Sequence, residues 1–279
     1  MRLFCLSFVL VASFLFNHVL AQIMTTDNLS PIHEALLSAD ERALVIFDVH
    51  DVLMIPTDQL LRKPYKNRLR EALAKVAALR GMEEASSLEC IVKSQHQVEL
   101  VDPHMSEVMK TLKRRGIATI ALTNAGTGVM EGGIVSENLM LARLKGLGID
   151  FTNSFPSVDT LSFAGSGAND NEIGPIFKRG VIFTGLLSKG VMLQAFLQKV
   201  GFCPSQIIFV DDKLTNLASV ETLCNEQGIP FLGFQYTGSE HHSKAPLNER
   251  RAELQLKMLM TEKRWVNDDE AGLMLNACP

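Results

Sequence analysis

The sequence has no surplus of positive charge: 27 Lys and Arg against 31 Asp and Glu leave a formal net charge of −4. Without a basic stripe there is no electrostatic reason to expect nucleic acid as a partner. It has no fixed-period repeat and no low-complexity tract, which sets aside solenoids and repeat arrays. Aromatic residues are sparse at 6%, and the single tryptophan, Trp265, is expected to serve packing. Cysteine is scarce, with five in 279 residues. Cys5 follows no lipobox-like stretch, so lipidation there is not expected. Cys90, Cys203, Cys224 and Cys278 remain, an even number that permits disulfides in an exported chain, although a domain this large has no need of them. Cys203 with Cys224 is the favoured pair if one forms; separate buried thiols are the equal alternative.

What is present begins with an apolar N-terminus. Arg2 precedes an apolar run from Leu3 to Phe16, which ends in Val19-Leu20-Ala21. A basic start, a run of that length and small or aliphatic residues at the cut describe a secretory signal peptide, 1–21. The run falls short of the ~20 apolar residues that span a bilayer, so cleavage after Ala21 is expected rather than stable membrane insertion. The protein is therefore expected to be secreted or periplasmic.

In the mature chain, residues 44 to 53 read LVIFDVHDVL, an apolar run driven into two acids. A strand ending in a polar turn would explain the acids. So would a strand delivering a carboxylate to the mouth of a sheet, where ligands of open α/β folds bind. Further buried strands are predicted at Ile117 to Leu122, Gln206 to Val210 and Pro230 to Phe234, with two short strands around the Lys-Arg-Gly turn of Pro175 to Phe183. Helices are predicted at Arg68 to Arg80, near Glu83 to Val92, at His104 to Arg115, at Val191 to Val200, after Asp212 to about Asn225, and at Asn248 to Trp265. This alternation predicts a Rossmann-like α/β fold, a mainly parallel sheet with helices on both faces. The stretch 56–103 is too long for a crossover loop and reads as a helical cap inserted after the first strand. The core is then 22–55 with 104–246, and 247–279 is a C-terminal helical tail. The Ser-, Gly- and Asn-rich stretch from Asn153 to Gly174 reads as a smaller lid or a mobile loop.

Asp48, Thr123 and the pair Asp211-Asp212 stand at strand ends, and Lys189 at a helix start. In a parallel sheet these ends share one edge, so the residues can converge. Acidic clusters hold a hard cation through oxygen. A hydroxyl holds phosphate oxygens, and a lysine balances charge on a phosphoryl group. Strand caps and surface ion pairs are the bland alternative.

In the order Asp, Thr, Lys, Asp-Asp, the chain resembles the haloacid dehalogenase (HAD) superfamily of aspartate-nucleophile phosphohydrolases over about residues 42 to 236. The motifs are Asp48-Val49-His50-Asp51-Val52-Leu53, Thr123-Asn124, Lys189, and Asp211-Asp212 with Asn216. A two-component receiver domain uses similar residues, but its acidic pair comes first in the chain. The signal peptide and the run GVIFTGLLSKG further resemble an uncharacterised bacterial family, domain of unknown function 2608. The superfamily resemblance implies that Asp48 attacks phosphorus, forming an aspartyl-phosphate. It implies that Asp48, Asp212 and the backbone carbonyl of His50 bind Mg²⁺, with Asp211 a further ligand or an orienting neighbour. Thr123 and Asn124 would meet the phosphoryl oxygens of a small phosphorylated substrate, and Lys189 would bridge that group and Asp48.

His50 departs from the pattern, because phosphatases of this superfamily usually carry a second Asp there as acid/base. An imidazole can do that chemistry, but beside Mg²⁺ and Lys189 its cationic form is disfavoured. Asp51 is not expected to substitute, since on an extended backbone its side chain would point away. Two functions follow: an exported Mg²⁺-dependent phosphohydrolase, or a catalytically impaired relative that binds a phosphorylated ligand or a protein. His241-His242 is expected in a polar, exposed loop, and His96 and His104 on the surface beside the cap.

Overall fold

The computed structural model describes residues 21–163 and 174–277. The expected signal peptide, apart from Ala21, and part of the expected lid therefore lie outside the described residues, as does Cys278. The chain opens with strand β1 (Gln22–Thr26) and helix α1 (Ser30–Ser38), then enters β2 (Leu44–Phe47). β3 (Met54–Pro56), α2 (Lys66–Arg80), α3 (Met82–Gln95) and β4 (Val98–Leu100) follow. Next come α4 (Met105–Arg114), β5 (Ala118–Thr123), α5 (Ser136–Gly146), β6 (Thr160–Ser162), β7 (Ile176–Lys178) and β8 (Val181–Phe183). The last run is α6 (Lys189–Val200), β9 (Ile207–Asp211), α7 (Leu214–Gln227), β10 (Phe231–Tyr236), α8 (Glu249–Glu262) and α9 (Asp268–Ala277).

The sheet has the order β1-β10-β9-β2-β5-β8-β7-β6. From β1 to β8 neighbours run parallel, and β7 and β6 close one edge antiparallel. β2 lies in the middle and all four of its residues are buried. This is why it reads as an unbroken apolar run: a parallel strand covered on both faces has no wet side. Its side chains alternate between two cores. Val45 and Phe47 join Ile32 of α1, with Met105 and Leu112 of α4. Leu44 and Ile46 join Met192, Leu193 and Phe196 of α6, with Leu217 and Val220 of α7. Helices thus cover both faces, the fold class expected from the alternation of elements.

The sequence reading did not mark β1, α1, β3, β4, α5 or β6. β1 is a mixed-polarity edge strand paired only with β10, so it needs no continuous apolar run. α5 follows the glycine-containing stretch 126–133 and has little amphipathic contrast.

The segment after β2 leaves the sheet as an antiparallel ribbon, with Met54 opposite Leu100 and Pro56 opposite Val98. α2 and α3 pack together beyond it, and the C-terminal tail completes that body. Leu60, Leu69, Val76, Leu88 and Val92 share a core with Ala252, Leu259 and Trp265. Asp58 fastens the two, accepting hydrogen bonds from Trp265 Nε1 (2.7 Å) and from the Asp268 N–H (2.8 Å). Trp265 is therefore both packing and a donor. Ion pairs Arg68–Glu249 and Lys263–Glu84 join the same elements.

The favoured disulfide does not form. Cys203 is exposed, Cys224 buried and Cys90 half-buried, all as free thiols. Burial pushes the Cys224 thiol up to about 12, so it stays protonated and inert. Two histidines also depart from the sequence reading. His96 is half-buried, with Nδ1 2.8 Å from the Val92 carbonyl, and His242 is half-buried, with Nε2 2.8 Å from the Val101 carbonyl. His104 and His241 are exposed.

Candidate active site

The register of the parallel strands sets the site. Phe47 lies opposite Val210 on β9 and Ala121 on β5, so Asp48 continues level with Asp211, with Thr123 close along the same edge. The Asp48 N–H donates to the Val210 carbonyl at 2.8 Å, which holds the first residue past the strand in the sheet's plane. One oxygen each of Asp48, Asp211 and Asp212 lies within 4.8 Å of the others.

Lys189 stands between two of these carboxylates. Its Nζ donates to Asp48 Oδ1 at 2.7 Å and to Asp211 Oδ2 at 2.6 Å, and its side chain has no solvent exposure. The ammonium also lies 5.4 Å from the centre of the Phe209 ring. The placement depends on Gly190: a Cβ there would sit 2.1 Å from the Ser219 carbonyl oxygen. Only glycine lets the start of α6 press against α7 that closely, and the pressure seats Lys189 in the sheet's mouth.

Asp211 is saturated. Besides Lys189 it accepts from the Lys213 N–H (2.8 Å) and from Asn216 Nδ2 at both oxygens (2.9 and 3.1 Å). Of the two roles the resemblance left open for it, metal ligand or orienting neighbour, its hydrogen bonds match the second. Burial pushes the Asp211 carboxyl up to about 6, aided by Asp48 and opposed mainly by the Lys189 ammonium. Burial also raises Asp48, again opposed by Lys189. Among the described residues, the buried Lys189 ammonium between these two buried carboxylates offsets that cost.

Asp212 faces the other way, toward the cap. Lys63 Nζ lies 2.6 Å from Asp212 Oδ2 and 3.0 Å from Asp51 Oδ2, and Lys66 is 3.9 Å from Asp51. The expectation for Asp51 is thereby corrected, because the backbone past Asp48 is not extended. The N–H groups of Leu53 and Met54 both donate to the Val49 carbonyl, and Asp51 takes the left-handed conformation at φ 64°. That tight turn brings Asp51 back to share Lys63 with Asp212. Neither cap lysine was singled out in the sequence, since nothing local marks Lys63, 149 residues from Asp212, or Lys66 as partners of these acids.

Thr123 is buried at the end of β5, and its hydroxyl accepts the Ala125 N–H at 3.4 Å. It shares the edge with Asp48 without touching it. Asn124 Nδ2 donates to Thr184 Oγ1 at 3.0 Å, and Thr184, fully buried after β8, was missed in the sequence. Its signal was the strand end in VIFTG, the same signal that marked Thr123.

His50 is exposed in the turn just past β2, and its imidazole makes no hydrogen bond among the described residues. Crowding by the protein around it lowers its pKa to about 4, with Arg143, Lys189 and Lys66 adding to the effect and Asp51 opposing it. The imidazole is neutral at neutral pH. Lys189 contributes, as expected, but the surrounding protein's exclusion of water from the ring is the larger cause.

A parallel sheet whose central strand ends carry three carboxylates around a buried lysine defines the class, an α/β protein with an acidic site at its C-terminal edge. The chain belongs to the family described as protein of unknown function (DUF2608), whose model matches residues 25–272. It is 26% identical over 249 residues to an uncharacterized protein of Rickettsia prowazekii, covering 88% of this chain and 87% of the relative. It is 21% identical over 248 residues to a "Putative outer membrane protein" of Chlamydia trachomatis, covering 87% of each. Among solved structures it is similar to a "putative haloacid dehalogenase-like hydrolase" of Burkholderia xenovorans, with 15% identity and a TM-score of 0.38, covering 79% of this chain and 96% of that one.

Proposed function

We propose that this chain is an exported, Mg²⁺-dependent phosphohydrolase that cleaves a phosphomonoester through an aspartyl-phosphate on Asp48. The observation that carries the reading is Lys189, buried between Asp48 and Asp211 with Asp212 alongside. The Asp48 and Asp212 carboxylates, close together beside Asp211, are hard-oxygen donors of the kind that fits Mg²⁺. Asp48, Asp212 and the His50 carbonyl would hold it. When bound, it supplies positive charge that polarises phosphoryl oxygens.

The protein's own groups divide the work. Lys189 holds Asp48 by one oxygen, fixing the carboxylate and lowering the repulsion felt by an incoming phosphate. Asp211, pinned by Asn216 and the Lys213 N–H, holds Lys189 in place. Thr123 and Asn124 line the same edge for the phosphoryl oxygens. Attack by Asp48 forms a P–O bond as the ester P–O bond breaks, and the departing alkoxide takes a proton from solvent; water then attacks phosphorus, the P–O bond to Asp48 breaks, and phosphate leaves with the carboxylate restored. Export is supported by the N-terminal run Leu3 to Phe16 and by relatives named as outer membrane proteins. No helix among the described residues is long and apolar enough to cross a membrane.

The test is phosphate release from phenyl phosphate with and without Mg²⁺. Release that requires Mg²⁺ and is abolished in Asp48→Asn supports the reading. A second reading, binding without turnover, is favoured by one observation: an imidazole, with no hydrogen bond to orient it, stands where an acid/base is needed. His50→Asp separates the two. If it gains activity over an inactive native protein that still binds Mg²⁺ by calorimetry, the binding role holds. If His50→Asn works as well as the native protein, position 50 has no acid/base role.

A further inference from the structure

Lys63 joins the cap to the sheet at an acid that the metal would need. Its neighbour Arg62 is held against the cap's ribbon. Arg62 Nε donates to the Pro56 carbonyl (2.7 Å), and its Nη2 donates to the Thr57 carbonyl (2.8 Å) and to Glu99 Oε1 (2.7 Å). From that fixed base the Lys63 ammonium spans two carboxylates, 2.6 Å from Asp212 Oδ2 and 3.0 Å from Asp51 Oδ2. Asp51 stands there because of the left-handed turn after Asp48.

The three partners are unequal in freedom. The Asp212 side chain is 6% exposed and that of Asp51 17%, whereas the Lys63 side chain is 39% exposed. The acids are fixed acceptors, and the lysine is the member that can move toward water. A divalent cation held by Asp48 and Asp212 would lie ~2.1 Å from their oxygens. It would set two positive charges against an ammonium bonded to the same carboxylate, and like charges that close repel. Asp51 offers a seat in which Lys63 keeps a counter-charge. Lys66 does not fill that seat, since at 3.9 Å from Asp51 it is too far for a hydrogen bond.

We propose that Lys63 is an internal counter-ion that stands in for the metal: it clasps the cap to Asp212 in the metal-free protein, and on metal loading it gives up Asp212 and stays on Asp51 alone. The metal site is thereby blocked by the chain's own cap until a cation outcompetes Lys63, and the ion pair between cap and Asp212 is lost on loading. This rests on the reading of Asp48 and Asp212 as metal ligands, but its test needs no turnover.

The test measures Mg²⁺ affinity and the reactivity of Lys63 in the mature protein. Calorimetry should show tighter Mg²⁺ binding in Lys63→Met than in the native protein, by about fivefold, the upper end for a partly exposed ion pair. Lys66→Met removes the same charge nearby without freeing Asp212, and its gain should be smaller. The second readout, acetylation of lysines followed by mass spectrometry, uses the native protein and does not depend on any variant folding. An ammonium held by two carboxylates is shielded, so Mg²⁺ should raise the labelling of Lys63 and leave that of Lys75, exposed on the same cap, unchanged. Unchanged or weaker Mg²⁺ binding in Lys63→Met would overturn the proposal. An equal gain in Lys66→Met would overturn it too, as would Lys63 labelling indifferent to Mg²⁺. Failure of native protein and variant alike to bind Mg²⁺ would overturn it together with the metal site. Absence of turnover with both shifts intact would instead count against the phosphohydrolase reading alone.

Discussion

The two walls of the cleft are built on opposite electrostatic plans. On the sheet side, Asp48, Asp211 and Lys189 form a buried, mutually hydrogen-bonded set. On the cap side, Lys63 and Lys66 are partly exposed and share Asp51 and Asp212 among them. The sheet wall is suited to fixing one geometry. The cap wall is suited to attracting charge, and its ion pairs can be exchanged for those of a ligand at little cost because water already screens them.

That contrast can be broken most severely from the sheet side. Lys189→Met leaves two buried carboxylates facing each other without a cation, and breaking a buried pair in this way costs about 3–5 kcal/mol. Urea unfolding should show that loss, and a loss under 1 kcal/mol would mean the network is wetter than its burial implies.

Asp212→Asn is the next largest effect, and it should act on metal rather than on the fold. Removing even a supporting partner of a metal ligand typically lowers affinity about 10–100-fold, so calorimetry should show at least that for Mg²⁺ with the melting temperature nearly unchanged.

Asp58 sharpens the comparison from a third direction, as a buried carboxylate held by N–H donors with no cation bonded to it. Burial raises its pKa above the ordinary value, with Trp265 and the Asp268 N–H opposing. The fold therefore binds its proton more tightly than the unfolded chain does, and its contribution to stability is greatest at low pH and is lost as pH rises through the folded pKa. Asp58→Asn cannot accept both hydrogen bonds and should cost about 1–3 kcal/mol. Because asparagine does not titrate, the gap between the two proteins should widen as pH falls from neutrality toward the ordinary aspartate value. Denaturant melts at several pH values check this, and a gap that narrows would reverse the sign.

The smallest effect belongs to Lys63. Lys63→Met should change stability by about 0–1 kcal/mol, as for a partly exposed pair, while Mg²⁺ affinity rises because Asp212 loses its competing cation. A fall in Mg²⁺ affinity would mean that Lys63 orients Asp212 rather than competing for it.

The same contrast explains what could be read from the sequence. β2, β5 and β9 are buried on both faces, so each announces itself as an apolar run, and the residue that ends each run must be polar for a reason. Asp48, Thr123 and Asp211 were visible on that logic, and Lys189 through the helix start at Ser188. Asn216 was visible through its spacing, although its work, pinning Asp211, emerged only from the hydrogen bonds. The cap wall carries no such punctuation. Lys63 and Lys66 are ordinary surface residue types in their own segment, and they meet the acids of the site because the tight turn after β2 brings Asp51 back toward them. Asp51 was misread for a related reason: its side-chain direction follows from a left-handed turn that an alternating-strand argument does not anticipate. The C-terminal tail likewise gave no hint of closing the cap, since its partner Asp58 lies 207 residues from Trp265.

The most direct measurement is to capture the covalent step. The mature protein is mixed with phenyl phosphate and Mg²⁺, quenched in acid, digested and analysed by mass spectrometry for a phosphoryl adduct on the peptide that contains Asp48. The expected result is an adduct on Asp48 that requires Mg²⁺, is absent from Asp48→Asn, and accumulates further in His50→Asn, where water is no longer activated. Phosphate release with no adduct on Asp48, or undiminished release by Asp48→Asn, would contradict the account.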